Sequence, residues 1–179
     1  MYMDEGLDTG DMLLKKTVPI RRRDTGGSIH DALAQAAPGA LAEALALLKE
    51  GRAPREKQDA ALATYAPKLT RENGAIDWAR SQHQIDLKIR AMNPWPGAFT
   101  FLPTADGQRK LKVFACIQHR GSLGVPGTVM RADKNGLLVA AGQGGVLLRE
   151  VQFEGKKRME ARDFLMGTLV APGTVLGAQ

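Results

Sequence analysis

From Gly97 to Phe153 the chain repeats one pattern, a short apolar run followed by a glycine-containing turn. GAFTFL precedes Asp106-Gly107 and KLKVFACI; GTVMRA precedes Asn135-Gly136 and LLVAA; Gly142 to Gly145 then lead into VLLREVQF. Asp-Gly and Asn-Gly between apolar runs favour tight antiparallel hairpins, because glycine supplies the positive φ such turns require. About five short strands in roughly 80 residues point to a small closed antiparallel barrel, OB-like in fold. Ahead of them, Ser81 and Gln84 have the spacing of a capping box before a short helix. Its apolar face is Ile85, Ile89 and Met92, and it ends before Pro94. GKKRM leads into a last short helix around Arg162 to Met166.

The preceding residues read differently. MLLKKTVPI (12–20) has the composition of a strand, and Arg21 to Arg23 lead to a helix start with Asp24 and Ser28 as candidate caps, Asp31 three residues after Ser28. Ile29, Leu33 and Ala36 share a helical face. Pro38-Gly39 is expected to break or kink the run, and Leu41, Leu45 and Leu48 carry it on to a stop at Gly51. One strand and one helix cannot cover that apolar face, which needs a sheet these residues do not supply. Residues 52–72 lack sustained periodicity, contain Pro54 and Pro67, and read as a basic extended linker. The expected division is 1–51, an α/β piece; 52–72, a linker; and 73–179, the barrel. No internal repeat is evident.

Charge sharpens this division. The net charge is +6, yet residues 1–72 hold 11 basic and 11 acidic residues while residues 73–179 hold 14 and 8. The whole excess falls on the barrel half, which suits a polyanionic partner. With 44% hydrophobic and 25% charged residues the composition is globular rather than disordered. No apolar stretch approaches the roughly 20 residues of a membrane helix, and the first residues lack signal-peptide features. The chain therefore reads as soluble and cytoplasmic, with no membrane partner. The single cysteine, Cys116, excludes an internal disulfide and is expected at a buried strand position; the three histidines show no metal-ligand spacing. Trp95, between prolines, and Trp78 are read as structural, packing helix and linker onto the barrel. Aromatics at 5% argue against a base-stacking platform.

The opening MYMDEGLDTGDMLL crowds Asp4, Glu5, Asp8 and Asp11 together. Asp-Thr-Gly occurs at 8–10 and again at 24–26, but an aspartic protease needs two carboxylates sharing a proton on symmetric loops, each after an apolar strand. The second triplet follows three arginines instead. A calcium loop fails as well, because the acidic spacings of four and three differ from the alternate-residue ligands of an EF-hand. Taken alone, the segment is an acidic turn before a strand.

Longer stretches add a resemblance. MDEGLDTGDMLL, YAPKLTRENGAIDW (65–78), IRAMNPWPGAFTFL (89–102) and GKKRMEARDFLMG (155–167) occur in the order in which they resemble methionyl-tRNA formyltransferases. The likeness runs from Met1 to about Gly167, with NPWPGA its most specific piece. It implies the end of a Rossmann-like formyltransferase domain, a basic linker and an OB-like domain that grips tRNA. The implied reaction moves a formyl group from 10-formyltetrahydrofolate to the amino group of methionine on initiator tRNA, without a metal. By the same resemblance the folate loop falls on Asp4, Glu5 and Gly6, and the catalytic aspartate on Asp8. The family's catalytic asparagine and histidine, with a Ser-Leu-Leu-Pro phrase, match nothing here; His30, His83 and His119 stand in other contexts.

A carboxylate can orient a histidine or relay protons, but an ionised one cannot donate to an oxyanion, so Asp8 cannot act alone. The expectation is an incomplete, singly inactive chain, monomeric unless residues 1–51 dimerise or aggregate through their uncovered helix face. Lys68, Arg71, Arg109, Lys110, Lys112, Lys156, Lys157 and Arg158 are the expected phosphate-backbone contacts. A non-catalytic tRNA-binding module, or a relative formylating a nucleotide sugar, are the alternatives.

Overall fold

The structure, a computed structural model, describes residues 1–121 and 124–177. It divides into two compact units, Met1–Asp24 with Ser28–Lys68, and Thr25–Gly27 with Leu69–Gln179.

The second unit is built on six antiparallel strands: β1 (Ala98–Thr104), β2 (Gly107–His119), β3 (Val129–Asp133), β4 (Gly136–Ala140), β5 (Gly145–Phe153) and β6 (Met159–Glu160). Their order is β1-β2-β5-β4-β3, with β6 on β5. Both glycine-marked turns form hairpins, with Thr104 opposite Gly107 and Asp133 opposite Gly136. The apex residues keep negative φ, and the positive φ falls on the glycine that starts the returning strand, 110° at Gly107 and 121° at Gly136. Asp133 stabilises its turn by accepting from the Asn135 N–H at 2.7 Å.

Strand alternation then selects the inner face. Ala98, Thr100 and Leu102 of β1 are buried, as are Leu111 and Val113 of β2, Leu137 and Val139 of β4, and Val146, Leu148, Val151 and Phe153 of β5. The sheet curls, and residues 173–177 hydrogen-bond to both of its outer strands. Phe101 N–H donates to Gly177 O at 2.7 Å, and Val129 N–H to Thr174 O at 2.7 Å. Edge groups that would otherwise stand open are thereby paired.

Helix α2 (Gln82–Ala91) begins at the expected capping box: the Ser81 side chain accepts from Gln84 N–H while the Gln84 side chain accepts from Ser81 N–H. It packs against β2 and contributes Ile85 and Ile89 to the core, and α3 (Ala161–Gly167) packs against β5 with Ala161 and Phe164. Fully burying each large aliphatic side chain is worth about 1.5–3 kcal/mol, so this one cluster supplies the main driving force of the unit.

Helix α1 (Gly26–Lys49), which belongs to the first unit from Ser28 on, runs uninterrupted through Pro38. The run is not broken there: proline's φ is helical, and the helix continues despite one lost hydrogen bond and the crowding of the ring against the carbonyl one turn back. Ser28 lies within the first turn instead of capping it, and donates to Asp24 at 3.0 Å. The stop at Gly51 forms as expected: φ is 66°, with Gly51 N–H on Leu48 O at 3.1 Å and Arg52 N–H on Leu47 O at 3.0 Å. No residue of α1 is buried, and Leu33, Leu41, Leu45 and Leu48 are exposed.

MLLKKTVPI is not a strand. Met12 alone pairs, exchanging both backbone hydrogen bonds with Glu56 at 2.8 and 3.0 Å. Strand propensity needs a neighbouring strand to become structure, and among the described residues none runs beside this segment. Residues 52–68 are largely exposed, with a short 3₁₀ turn at Ala60–Leu62 begun by Asp59. No described helix is long and apolar enough to cross a membrane.

Candidate functional site

The acidic loop is exposed at Asp4, Glu5, Gly6 and Asp8. Asp8 takes φ 56°, and among the described residues it is the one non-glycine with positive φ. Such a conformation persists where neighbours over-determine it. Here Gln58 does so: its side-chain N–H₂ donates to Asp8 O at 2.7 Å and to Gly10 O at 2.8 Å. Tyr2 N–H donates to Asp11 O at 2.9 Å, and a side chain on Gly10 would run into the Tyr2 carbonyl. Arg55 lies 3.8 Å over the Tyr2 ring and 3.5 Å from Asp11, while Lys15 pairs with Glu56 at 2.7 Å. The start of the segment read as a linker is therefore a brace for the loop. Gln58, Arg55 and Tyr2 had no signal in the sequence, because their partners lie some 40 to 50 positions away.

Of the expected phosphate contacts, Lys68 belongs to the first unit; the others belong to the second. On β2 the pleat places Lys110, Lys112 and Phe114 opposite the core-facing Leu111 and Val113. Arg109 has the core parity, and its guanidinium lies 5.3 Å from the Phe153 ring at the end of the core. Arg109 therefore has the opposite parity to Lys110 and Lys112 on the strand. Lys156 and Lys157 stand exposed on the turn between β5 and β6. Arg158 is not a free cation: its Nε and Nη2 donate to the two oxygens of Glu150 at 2.6 Å each, and Glu150 raises its pKa further.

The outer face also gathers aromatics. Phe99 pairs with Lys112 and Phe101 with Lys110 across β1 and β2. The Lys110 ammonium lies 4.4 Å from the Phe99 ring centre and 5.8 Å from that of Phe101, and the Arg158 guanidinium lies 4.2 Å over Phe114. Phe114 is the extra residue of a bulge, where the pairing moves from Val113–Val151 to Ala115–Glu150. Asn93, from NPWPGA, donates to the Phe114 carbonyl at 3.5 Å. Glu72 is held below its ordinary pKa by the Thr70 hydrogen bond and its own backbone, and then by the nearby charges of Arg71 and Lys110. A low aromatic count had argued against such a surface, but composition does not say where the few rings sit. Trp78 is buried as expected, whereas Trp95 is 56% exposed.

Cys116 is half-buried, not buried, and donates to Asp86 at 3.5 Å. Burial first, and then the Asp86 charge, push its thiol far above the ordinary value. Asp86 also accepts from Gln118 at 3.0 Å and Arg90 at 3.4 Å. Among the described residues no group of three His, Cys, Asp or Glu could hold a metal ion.

A family model described as Formyl transferase, C-terminal domain, matches residues 68–169, and a second, described as Formyl transferase, matches residues 1–45. A methionyl-tRNA formyltransferase of Methylacidiphilum infernorum is 47% identical over 99% of this chain and 56% of its own length. That of Geotalea uraniireducens is 49% identical over 99% of this chain and 55% of its own. The chain thus spans about half the length of the curated relatives it matches. Among solved structures, a variant of HypX from Aquifex aeolicus shares the fold at TM-score 0.63 and 20% identity, covering 95% of this chain and 30% of that one.

Proposed function

The chain belongs to the formyl transferase family, and from that premise we propose that it carries the folate-loop aspartate and the tRNA-holding domain of a methionyl-tRNA formyltransferase. The carrying observation is that likeness to proteins of that name extends, at 47–49% identity, over 99% of these residues. The proposed organisation is residues 1–51 as part of the catalytic domain, 52–72 as linker, and 73–179 as an OB-like domain. The reaction is transfer of a formyl group from 10-formyltetrahydrofolate to the amino group of methionine on initiator tRNA.

Asp8 is the proposed catalytic carboxylate, with Asp4, Glu5 and Gly6 lining the folate. This loop offers acceptors, which suit the ring N–H and amino donors of a reduced pterin. When bound, the folate supplies the formyl group; the protein's part at Asp8 is to accept and relay a proton as the amine attacks. An oxyanion needs donors, which ionised carboxylates are not, so we place the asparagine and histidine of the reaction outside these residues. Lys68, Arg71, Lys110, Lys112, Lys156 and Lys157 are the proposed phosphate contacts, and such contacts hold an RNA without reading its sequence.

The test uses the 179-residue chain with charged initiator tRNA. Binding that weakens steeply with salt is expected, and no formyl transfer from 10-formyltetrahydrofolate. Undetectable binding at low salt would overturn the proposal for the second unit. Turnover by the chain alone would overturn the assignment of partners to Asp8. A nucleotide sugar that competes with the tRNA would favour the sugar-formylating alternative.

A further inference from the structure

The geometry points to Arg158, stacked on Phe114 and locked by Glu150, as a plane on which an unpaired RNA base stacks, and not as a phosphate contact. This rests on the reading of the second unit as an RNA-binding domain. Three observations carry it. First, the Arg158 charge is already engaged by a two-point pair with Glu150, at 2.6 Å for each bond, so little is left to attract a phosphate. Second, the guanidinium lies 4.2 Å over the Phe114 ring, and the side chain is still 45% exposed. Held from the side by a carboxylate and from below by a ring, it is a pre-organised flat surface of the kind that bases stack upon.

Third, free cations flank it. Lys156 and Lys157 stand on the adjoining turn, and Lys112 lies on the same outer face as Phe114. None of these three has an ion pair among the described residues. A backbone held by those lysines would bring its bases over the Arg158–Phe114 pair. The occupant is a single-stranded or looped-out stretch of RNA, since bases within a duplex have their faces covered. Such stacking tolerates any base.

The test uses the full 179-residue chain and a single-stranded RNA of about 12 nucleotides containing 2-aminopurine, with a blunt RNA duplex of equal length as control. Binding should quench the 2-aminopurine. Arg158→Lys keeps the charge but loses the plane, and Phe114→Leu keeps the charge but loses the ring beneath it. Each should weaken single-strand binding about tenfold, with the salt slope and duplex binding unchanged. The double variant Lys156→Ala/Lys157→Ala should instead lower the slope, by about 0.7 per lysine.

Glu150→Gln separates the two roles. A phosphate contact, freed from its carboxylate, would bind tighter with a steeper salt slope; a plane that has lost its lock should bind more weakly. Wild-type affinity in Arg158→Lys, or tighter binding in Glu150→Gln, would overturn the inference while leaving RNA binding by the domain intact. No binding by the unaltered chain at low salt would instead remove the underlying reading and this inference with it. Circular dichroism melts accompany each variant. If Phe114→Leu does not fold, the solvent-facing Arg158→Lys decides alone.

Discussion

Trp78 donates its indole N–H to the Thr100 hydroxyl at 3.0 Å, and that hydroxyl reaches the Gly177 carbonyl at 3.2 Å. Thr100 is the one buried polar residue recorded among the described positions, so the relay joins the segment before α2, the first strand and the closing segment through a single oxygen. Losing one partner leaves a buried polar group unpaired, at about 1–3 kcal/mol. Trp78→Phe and Thr100→Val should each destabilise by that order. The double variant should cost less than their sum, because it removes both ends of the first bond. Urea unfolding of the four proteins measures this; strict additivity would show that the bond contributes nothing.

Gln58 should matter to the acidic loop far more than a linker residue would. Gln58→Ala removes both donors that fix Asp8 and Gly10, and the loop should open more often. Hydrogen exchange at the Tyr2 and Met12 amides, both hydrogen-bonded within this unit, should accelerate about tenfold, the equivalent of about 1.4 kcal/mol. Unchanged exchange would mean that the loop holds its shape without Gln58.

The two hairpin glycines should respond unequally to alanine. At Gly107, φ is 110° and an added Cβ meets nothing within 4 Å, so only backbone strain of about 1–3 kcal/mol opposes it. At Gly136, φ is 121° and the added carbon would also collide with the Leu148 carbonyl. Gly136→Ala should therefore lower the unfolding midpoint more than Gly107→Ala. Equal midpoints would show that the sheet yields at Leu148.

Cys116 gives stability a pH dependence of known sign. The folded thiol's pKa lies above the unfolded value, so on raising the pH the unfolded chain releases this proton first. The stabilising contribution is full below about pH 8.5 and is lost above it, at up to about 1.4 kcal/mol per pH unit. The decline persists until the folded thiol itself ionises. Cys116→Ala should show a shallower decline than the parent in urea titrations above about pH 8.5. Parallel curves would refute the assignment.

Features decided within a few residues could be read from the chain directly. The Ser81–Gln84 capping box, the closure at Gly51 and the hairpins before Gly107 and Gly136 depend on backbone conformation and neighbours three or four positions away. The period-two alternation of KLKVFACI likewise assigns Leu111 and Val113 to the core and Lys110 and Lys112 to the outside before any partner strand is known.

Pairing across the chain decided the rest. MLLKKTVPI has strand composition but only one bridged residue, because a strand exists only through hydrogen bonds to a neighbour. Gln58 and Asp8 are 50 positions apart, and Arg158 and Phe114 are 44, so nothing local distinguishes a brace from a linker residue or a stacked arginine from a free one. Local free energies of turns and caps are written in adjacent residues. Contacts that give a charge its partner or a ring its exposed face arise only when distant segments are brought together by the burial of the core.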